Sequence, residues 1–93
     1  MVQSKINKMA INLSKKLKVI NDETRLKLCI MITDKDCYVK YLIEKLKIEP
    51  TLLSHHLALL RNAGYIQAVR YGKEVSYSAT KTMPLISTNT IDF

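Results

Sequence analysis

The sequence predicts a mostly helical domain that ends in a small β-hairpin. Apolar residues recur at helical spacing through the first two-thirds of the chain, and two β-prone segments follow the first of its two glycines. The chain has 93 residues, of which 47% are hydrophobic and 25% are charged. This length and composition are typical of one small folded domain rather than of a disordered chain.

The first two predicted helices differ in how their apolar residues are distributed. From Ser4 to Val19 the apolar residues lie on one stripe, which consists of Ile6, Ala10, Leu13 and Leu17. A second helix is predicted from Asp22 to Thr33, where Asn21 or Asp22 can cap the free N–H groups. Its segment LKLCIMI is apolar almost all round, which indicates the central buried helix.

Two further helices follow with a short connection between them. The third is predicted from about Cys37 to Leu46, and the fourth from about Pro50 to Asn62 or Ala63. Proline is well tolerated at the first helical position, and Gly64 can supply the left-handed cap at the other end. Two helices joined by about three residues are typical of a helix-turn-helix motif.

The hairpin is predicted from two β-prone segments, 65–70 and 74–79, which flank Tyr71, Gly72 and Lys73. A hairpin that follows a helix-turn-helix makes a winged helix-turn-helix, here with a core of three to four helices. We expect Arg70 and Lys73 to make the tip of this wing basic.

The charge balance and one helix face favour a nucleic acid as the partner. Fifteen Lys and Arg residues against eight Asp and Glu residues give a formal net charge of +7. A solvated surface that only keeps the protein soluble is the alternative explanation of this charge. On the fourth helix, Thr51, Ser54 and His55 form a polar face suited to hydrogen bonds in a DNA groove.

The apolar stripe of the first helix predicts a dimer. A domain this small has little room to cover Ile6, Ala10, Leu13 and Leu17, so a partner subunit is a plausible place to bury them. The lysines on the other faces of this helix could approach a phosphate backbone, although a solvated face is the preferred interpretation.

Other classes of protein find little support in the sequence. No apolar segment approaches the roughly 20 residues that span a bilayer, and no signal peptide is evident, so a cytoplasmic location is expected. There is no Gly-rich phosphate loop or nucleophile elbow, and neither enzyme activity nor a cofactor is expected.

The two adjacent histidines are not predicted to form a metal site. Neighbouring helical residues point about 100° apart, so His55 and His56 cannot easily chelate one ion. His56 lies closer to the core boundary than His55, and we expect it to be either a structural residue or a phosphate contact.

Cys29 and Cys37 are candidates for a redox pair, since a regulatory disulfide could close across the connection between the second and third helices. Two reduced thiols in a reducing compartment are the preferred alternative.

Three stretches of the chain resemble the ArsR family of bacterial winged-helix repressors. They are NDETRLKLCIMI, LIEKLKIEPTLLSHHLALLRNAGYI and RYGKEVSYSAT, and the resemblance covers about residues 17–80. It implies a homodimeric repressor whose recognition helix reads the major groove through Thr51, Ser54 and His55, with Arg70 and Lys73 on or beside the minor groove. The family often has Gln where this chain has Pro50, so one usual base-reading side chain is absent.

The family's sensor residues do not carry over to this chain. The Cys-x-Cys pair of the arsenic and cadmium members corresponds to Tyr38 and Lys40, with Cys37 one residue out of register. The zinc members use Asp, His and Glu on a long C-terminal helix, and the tail of this chain has neither His nor Cys. The redox members pair a cysteine near the position of Cys29 with one in the C-terminal helix, which is absent here. We therefore expect no metal site, and the inducer is unknown.

These inferences predict a sequence-specific DNA-binding transcription regulator, acting as a homodimeric repressor on an inverted-repeat operator. The alternative is a protein-interaction module that regulates by pairing with another winged-helix subunit. The predicted units are an N-terminal dimerisation helix at 1–20, a winged helix-turn-helix domain at 21–80 and an irregular C-terminal tail at 81–93. Four apolar tail residues could pack over the first helix: Leu85, Ile86, Ile91 and Phe93.

Metal ions should not release the protein from DNA, because Tyr38 and Lys40 cannot replace thiolate ligands. We expect micromolar zinc, cadmium or arsenite to leave a protein–DNA complex intact in a gel-shift titration. Release by a stoichiometric amount of any one of them would contradict this residue-by-residue argument.

Overall fold

The computed structural model describes residues 2–84, which form four helices and a three-stranded antiparallel sheet. The elements in chain order are α1 (Val2–Ile20), α2 (Glu23–Asp34), β1 (Cys37–Tyr38), α3 (Val39–Leu46), α4 (Pro50–Asn62), β2 (Ile66–Tyr71) and β3 (Glu74–Ala79). The strands lie in the order β1-β3-β2. The architecture is that of a winged helix-turn-helix, which confirms the predicted fold class.

The α2 helix begins at the predicted cap and lies in the core. The Asp22 carboxylate accepts a hydrogen bond of 3.0 Å from the backbone N–H of Arg25, and so satisfies a donor that the first turn leaves free. Leu28, Cys29 and Ile32 are buried, whereas Leu26 remains 37% exposed. The helix is therefore central, as predicted, but it is buried on one side rather than all round.

The predicted start of the third helix is wrong by two residues. Cys37 and Tyr38 form the short strand β1, in which Cys37 lies opposite Tyr77 and Tyr38 opposite Ser76. The helix begins only at Val39, because Tyr38 is held in an extended conformation with φ −73° and ψ 150°. The wing is consequently a three-stranded sheet rather than a hairpin alone.

The α4 helix has the predicted bounds, and both of its ends are capped. The Glu49 carboxylate accepts hydrogen bonds from the N–H groups of Thr51 at 3.1 Å and Leu52 at 3.0 Å, which lower its pKa. Pro50 occupies the first turn, where its missing N–H costs no hydrogen bond. At the other end Gly64 takes a φ of +87°, in the left-handed region that glycine adopts without strain.

The hairpin pairs β2 with β3 from Ile66 opposite Ala79 to Tyr71 opposite Glu74. Gly72 and Lys73 form the two-residue connection, and Gly72 has a φ of +61°. The predicted hairpin is therefore confirmed, with β2 displaced by one residue from the predicted segment.

The core continues beyond the last strand. Met83 is buried at 2% exposure, and the hydroxyl group of Thr82 donates a hydrogen bond of 2.6 Å to the carbonyl oxygen of Gly64. Thr80 donates to the same carbonyl. Residues 81–84 form no helix or strand, yet Met83 belongs to the core. The tail residues predicted to pack over α1 lie outside the described residues.

The α1 helix packs against the rest of the domain mainly through its C-terminal end. Val19 and Ile20 are half-buried against the core, and the Tyr65 hydroxyl donates a hydrogen bond of 3.1 Å to the Lys16 carbonyl oxygen. None of the residues of α1 is fully buried. Among residues 2–84, no helix has the length and apolar character needed to cross a membrane.

The burial of Met83 predicts that Met83→Ala destabilises the domain. Truncating a buried Met costs about 2–5 kcal/mol in reduced burial and cavity formation. Urea unfolding followed by circular dichroism would measure the free energy of unfolding. Lys81→Ala, at an exposed neighbouring position, is the control and should leave it nearly unchanged. An equal loss in both variants would argue against a core role for Met83.

Candidate nucleic-acid interface

The two faces of α4 differ sharply in burial. Leu53, Leu57 and Leu60 are buried at 2% exposure or less, as their spacing predicts. The residues predicted to read DNA lie on the exposed face: Thr51, Ser54 and His55. Leu52, between them in the chain, is 47% exposed and adds an apolar group to this surface. The exposed face therefore combines hydroxyl and imidazole groups with one aliphatic side chain, a composition able to contact base edges and thymine methyl groups.

The wing presents the two predicted basic residues to solvent. Arg70 is exposed near the end of β2, and Lys73 is exposed in the connection to β3. Basic side chains on a projecting hairpin can contact phosphates without reading sequence. The arrangement is compatible with the predicted roles of Arg70 and Lys73.

Sequence reasoning missed an aromatic pair on the outer face of the sheet. The rings of Tyr38 on β1 and Tyr71 on β2 meet edge to face, with 6.4 Å between their centroids. Tyr38 is 45% exposed and Tyr71 58% exposed. The pairing register explains the contact, because Tyr38 lies opposite Ser76 and Tyr71 opposite Glu74, on the same face of β3. The aromatic residue beside Arg70 was a visible signal, but its partner depended on the unpredicted strand β1.

An ion pair connects α3 to the wing. The Lys40 ammonium group lies 3.0 Å from the Glu74 carboxylate, and both side chains are substantially exposed. An exposed pair of this kind stabilises a fold by at most about 1 kcal/mol. Its structural effect is to hold Lys40 beside the tip of the wing, because Glu74 directly follows the connection between β2 and β3.

His56 points away from the solvent face that carries His55. It is buried at 9% exposure, and its Nδ1 atom lies 2.9 Å from the Nη1 atom of Arg25 on α2. Burial is the main cause that lowers the pKa of His56, and Arg25 and His55 lower it further, while the Asp22 carboxylate opposes them. These surroundings favour the structural role of His56 over a phosphate contact.

No metal centre is evident in the described part of the chain. Within residues 2–84, no three His, Cys, Asp or Glu side chains are grouped so as to hold a metal ion.

The two cysteines are free and buried. Burial raises the pKa of Cys29 to about 11 and also raises the pKa of Cys37, where nearby Lys35 opposes the effect. The Cys37 thiol donates to the carbonyl oxygen of Lys35 at 3.2 Å. Because the thiolate is the reactive form, these surroundings favour two unreactive thiols over the redox role.

Comparisons with known proteins agree with this geometry. The family model of the bacterial regulatory proteins of the arsR family matches residues 22–68, about half of the chain. These residues run from the cap of α2 through α4 into β2. No curated protein matches the sequence.

Solved structures of transcriptional regulators share the fold. Reduced HlyU from Vibrio cholerae N16961 is 28% identical with a TM-score of 0.77, over 84% of this chain and 82% of that one. The transcriptional repressor BigR from Xylella fastidiosa is 25% identical with a TM-score of 0.76, over 100% and 98% of the two chains. NolR from Sinorhizobium fredii has a TM-score of 0.83 over 94% and 87% of the chains, and at 18% identity it shows the fold alone.

The match spans the helix-turn-helix, which carries the exposed polar face, and the start of β2; it ends before Arg70 and Lys73. The chain therefore belongs to the arsR family of bacterial regulatory proteins, a family of DNA-binding transcription regulators and not of enzymes.

Proposed function

We propose that this regulator is a homodimeric repressor that binds an inverted-repeat operator in double-stranded DNA. One observation carries the proposal, the contrast between two faces of α4. Leu53, Leu57 and Leu60 are buried on one face. Thr51, Ser54 and His55 are exposed on another. A helix held this firmly can present the same three side chains to a major groove each time it binds. Direct readout needs such fixed geometry, because each base pair is distinguished by the positions of its donors and acceptors.

Affinity and specificity have different sources in this proposal. The net charge of +7 supplies attraction to phosphates that does not depend on sequence. Arg70 and Lys73 on the wing fix the register, and the hydroxyl and imidazole groups of α4 distinguish bases. Pro50 at the start of α4 offers no side-chain hydrogen bond, so readout begins at Thr51.

The exposed stripe of α1 supports the dimer. Ile6, Leu13 and Leu17 are each more than half exposed, at 57%, 55% and 63%. Leu13 and Leu17 also line a groove with Ala10 and Ile20 of α1 and Leu26 of α2. Three polar residues complete its lining: Ser14, Lys18 and Asn21. A contiguous apolar surface of this kind on a small domain marks a protein interface. A second copy related by a two-fold axis would cover the same stripe on both chains and so impose two-fold symmetry on the operator.

Repression follows from where such a dimer would act. A protein that covers promoter DNA through two recognition helices excludes other proteins from the same grooves. The related BigR is described as a transcriptional repressor, which supports the same mode of action here.

The same stripe supports the second candidate, a module that pairs with a different winged-helix subunit. Light scattering on the purified chain distinguishes the two. A dimer formed by this chain alone favours the homodimer, whereas a monomer that does not bind DNA by itself favours the mixed pair.

Removing a base contact should reduce specificity, whereas removing a phosphate contact should not. His55→Ala and Ser54→Ala should weaken binding to the operator more than binding to random DNA, by about 1–3 kcal/mol. The operator here is a duplex selected from randomised DNA by the wild-type protein. Fluorescence anisotropy on both duplexes measures the difference.

Lys73→Ala is the matched control for these variants. It should weaken both duplexes alike and make the salt dependence shallower, by about 0.9 in the slope of log K against log salt for each phosphate that the variant no longer neutralises. If His55→Ala leaves the preference for the operator intact, the proposed reading face is wrong.

Charging the α1 stripe should break the dimer. Leu13→Glu replaces an apolar side chain whose burial is worth roughly 1.5–3 kcal/mol with a buried charge, and a symmetric dimer carries the change twice. We expect monomers by light scattering, loss of tight operator binding and an unchanged helical signal in the far ultraviolet.

Asn12→Glu is the matched control, since it introduces the same charge one residue away but off the stripe. It should remain dimeric. A Leu13→Glu variant that is still dimeric would place the interface elsewhere on the chain.

A further inference from the structure

We propose that the contact between Arg25 and His56 positions the recognition helix for specific DNA binding, and that protonation of His56 releases it, so that operator affinity falls on acidification. The inference rests on the DNA-binding role proposed for α4. It concerns side chains that do not lie on the reading face themselves.

Arg25 connects three helices at one point. Its Nη1 atom lies 2.9 Å from Nδ1 of His56 on α4, and its Nε atom donates to the carbonyl oxygen of Val19 near the end of α1. Its own backbone N–H donates to the Asp22 carboxylate that caps α2. The side chains of Arg25 and His56 are only 15% and 11% exposed. The polar link between α4 and the rest of the domain is thus largely shielded from water.

The chemistry of the two groups fixes the protonation state of the ring. A guanidinium group has donors and no acceptor, so Nδ1 of His56 must accept the hydrogen bond. The ring is therefore neutral, with its proton on Nε2. A second proton would have to bind at Nδ1, which would remove the acceptor and leave two cations at hydrogen-bonding distance.

The neighbouring groups cannot fully compensate for that second proton. Oδ2 of Asp22 lies 4.0 Å from both Nδ1 of His56 and Nη1 of Arg25, too far for a hydrogen bond to either. The groups that face the ring are Asp22 and Arg25 from the start of α2 and His55 from its own helix. Two of these three are basic, and α1 contributes only the Val19 carbonyl oxygen through Arg25.

The direction of the pKa shift agrees with this geometry. Burial, above all, lowers the pKa of His56 below 6.5, so the folded protein prefers the neutral ring. The resulting stabilisation is complete above pH 6.5 and is lost as the pH falls through the lowered pKa of the folded state. The hydrogen bond from the N–H of Arg25 lowers the pKa of Asp22 below 3.8, so the carboxylate stays charged throughout this window.

Because His56 lies next to the reading residues in the chain, protonation of its ring can reduce the recognition of DNA bases by α4. His56 follows Ser54 and His55 directly, one residue before the buried Leu57. Binding constellations must be held within about 0.5 Å of their productive geometry. Without the Arg25 hydrogen bond beside the reading residues, α4 would be held there by its buried leucines alone. His56 is therefore a positioning residue, and it acts through the exposed residues before it.

The variant His56→Asn separates the effect of protonation from the effect of the hydrogen bond itself. An Asn side chain keeps an acceptor oxygen near the place of Nδ1 but does not titrate. Operator affinity is measured by fluorescence anisotropy between pH 7.5 and 5.5 at constant ionic strength, on the duplex selected by the wild-type protein at pH 7.5. We expect the wild-type protein to lose about threefold to tenfold in affinity and His56→Asn to lose less than about twofold.

A nuclear magnetic resonance titration of the wild-type protein tests the same link without a variant. The ring nitrogens of His56 should show the neutral Nε2–H tautomer at pH 7.5. Their titration should move to lower pH when the selected duplex is bound, because the DNA-bound form must release the proton.

Equal pH dependence in the wild-type protein and His56→Asn, or an unchanged His56 titration on DNA binding, would overturn the inference. A wild-type protein that selects no duplex at pH 7.5 would instead contradict the proposed function. The inference would then be decided on the free protein by hydrogen exchange. At pH 5.5 the amides of α4 should exchange faster in the wild-type protein than in His56→Asn, and equal rates would overturn it.

Discussion

The apolar side of α4 packs into the core, and the position of every other functional element is defined relative to that contact. Leu53, Leu57 and Leu60 belong to one core cluster with Leu28 and Ile32 of α2. Full burial of a leucine is worth roughly 1.5–3 kcal/mol, so these three residues contribute a large part of the stability of a domain this small. Because α4 also carries the exposed polar residues, the packing of its leucines in the core fixes the orientation of the proposed reading face.

The single small core of this domain does not cover all of its apolar side chains. The helices α2, α3 and α4 with the sheet enclose the core, and α1 joins them mainly through its C-terminal end. The stripe of α1 is left exposed, and its burial depends on a further surface. The proposed dimer therefore follows from the fold. The core leaves the stripe of α1 exposed, and a dimer that buries this stripe would bring two copies of α4 together.

The buried titratable groups of the domain have different physical roles. Cys29 lies among apolar side chains, and burial holds its pKa near 11, so it behaves as a small hydrophobic residue. His56 also has a pKa shifted mainly by burial, but its ring accepts a hydrogen bond from Arg25 across two helices. A buried group that links two elements can respond to pH through their relative position, whereas an inert thiol cannot.

The sequence by itself determined the features that depend on neighbours along the chain. The caps at Asp22 and Gly64, the first-turn proline of α4 and the stripe of α1 follow from local hydrogen bonding and helical periodicity. So does the separation of Thr51, Ser54 and His55 from the buried leucines, which made the candidate reading face predictable from the sequence.

Only the tertiary structure decided the features that depend on residues far apart in the chain. The strand β1 has only two residues, Cys37 and Tyr38, which are too few to show an alternating pattern in the sequence. It forms because its backbone pairs with the edge of β3. Met83 is buried because two threonine hydroxyls hold its segment against the end of α4, and no local pattern indicated this. Arg25 and His56 are 31 positions apart, and neither residue type indicates the other. Periodicity and capping encode which face a helix buries, but the partners of its polar groups are fixed only when the helices pack.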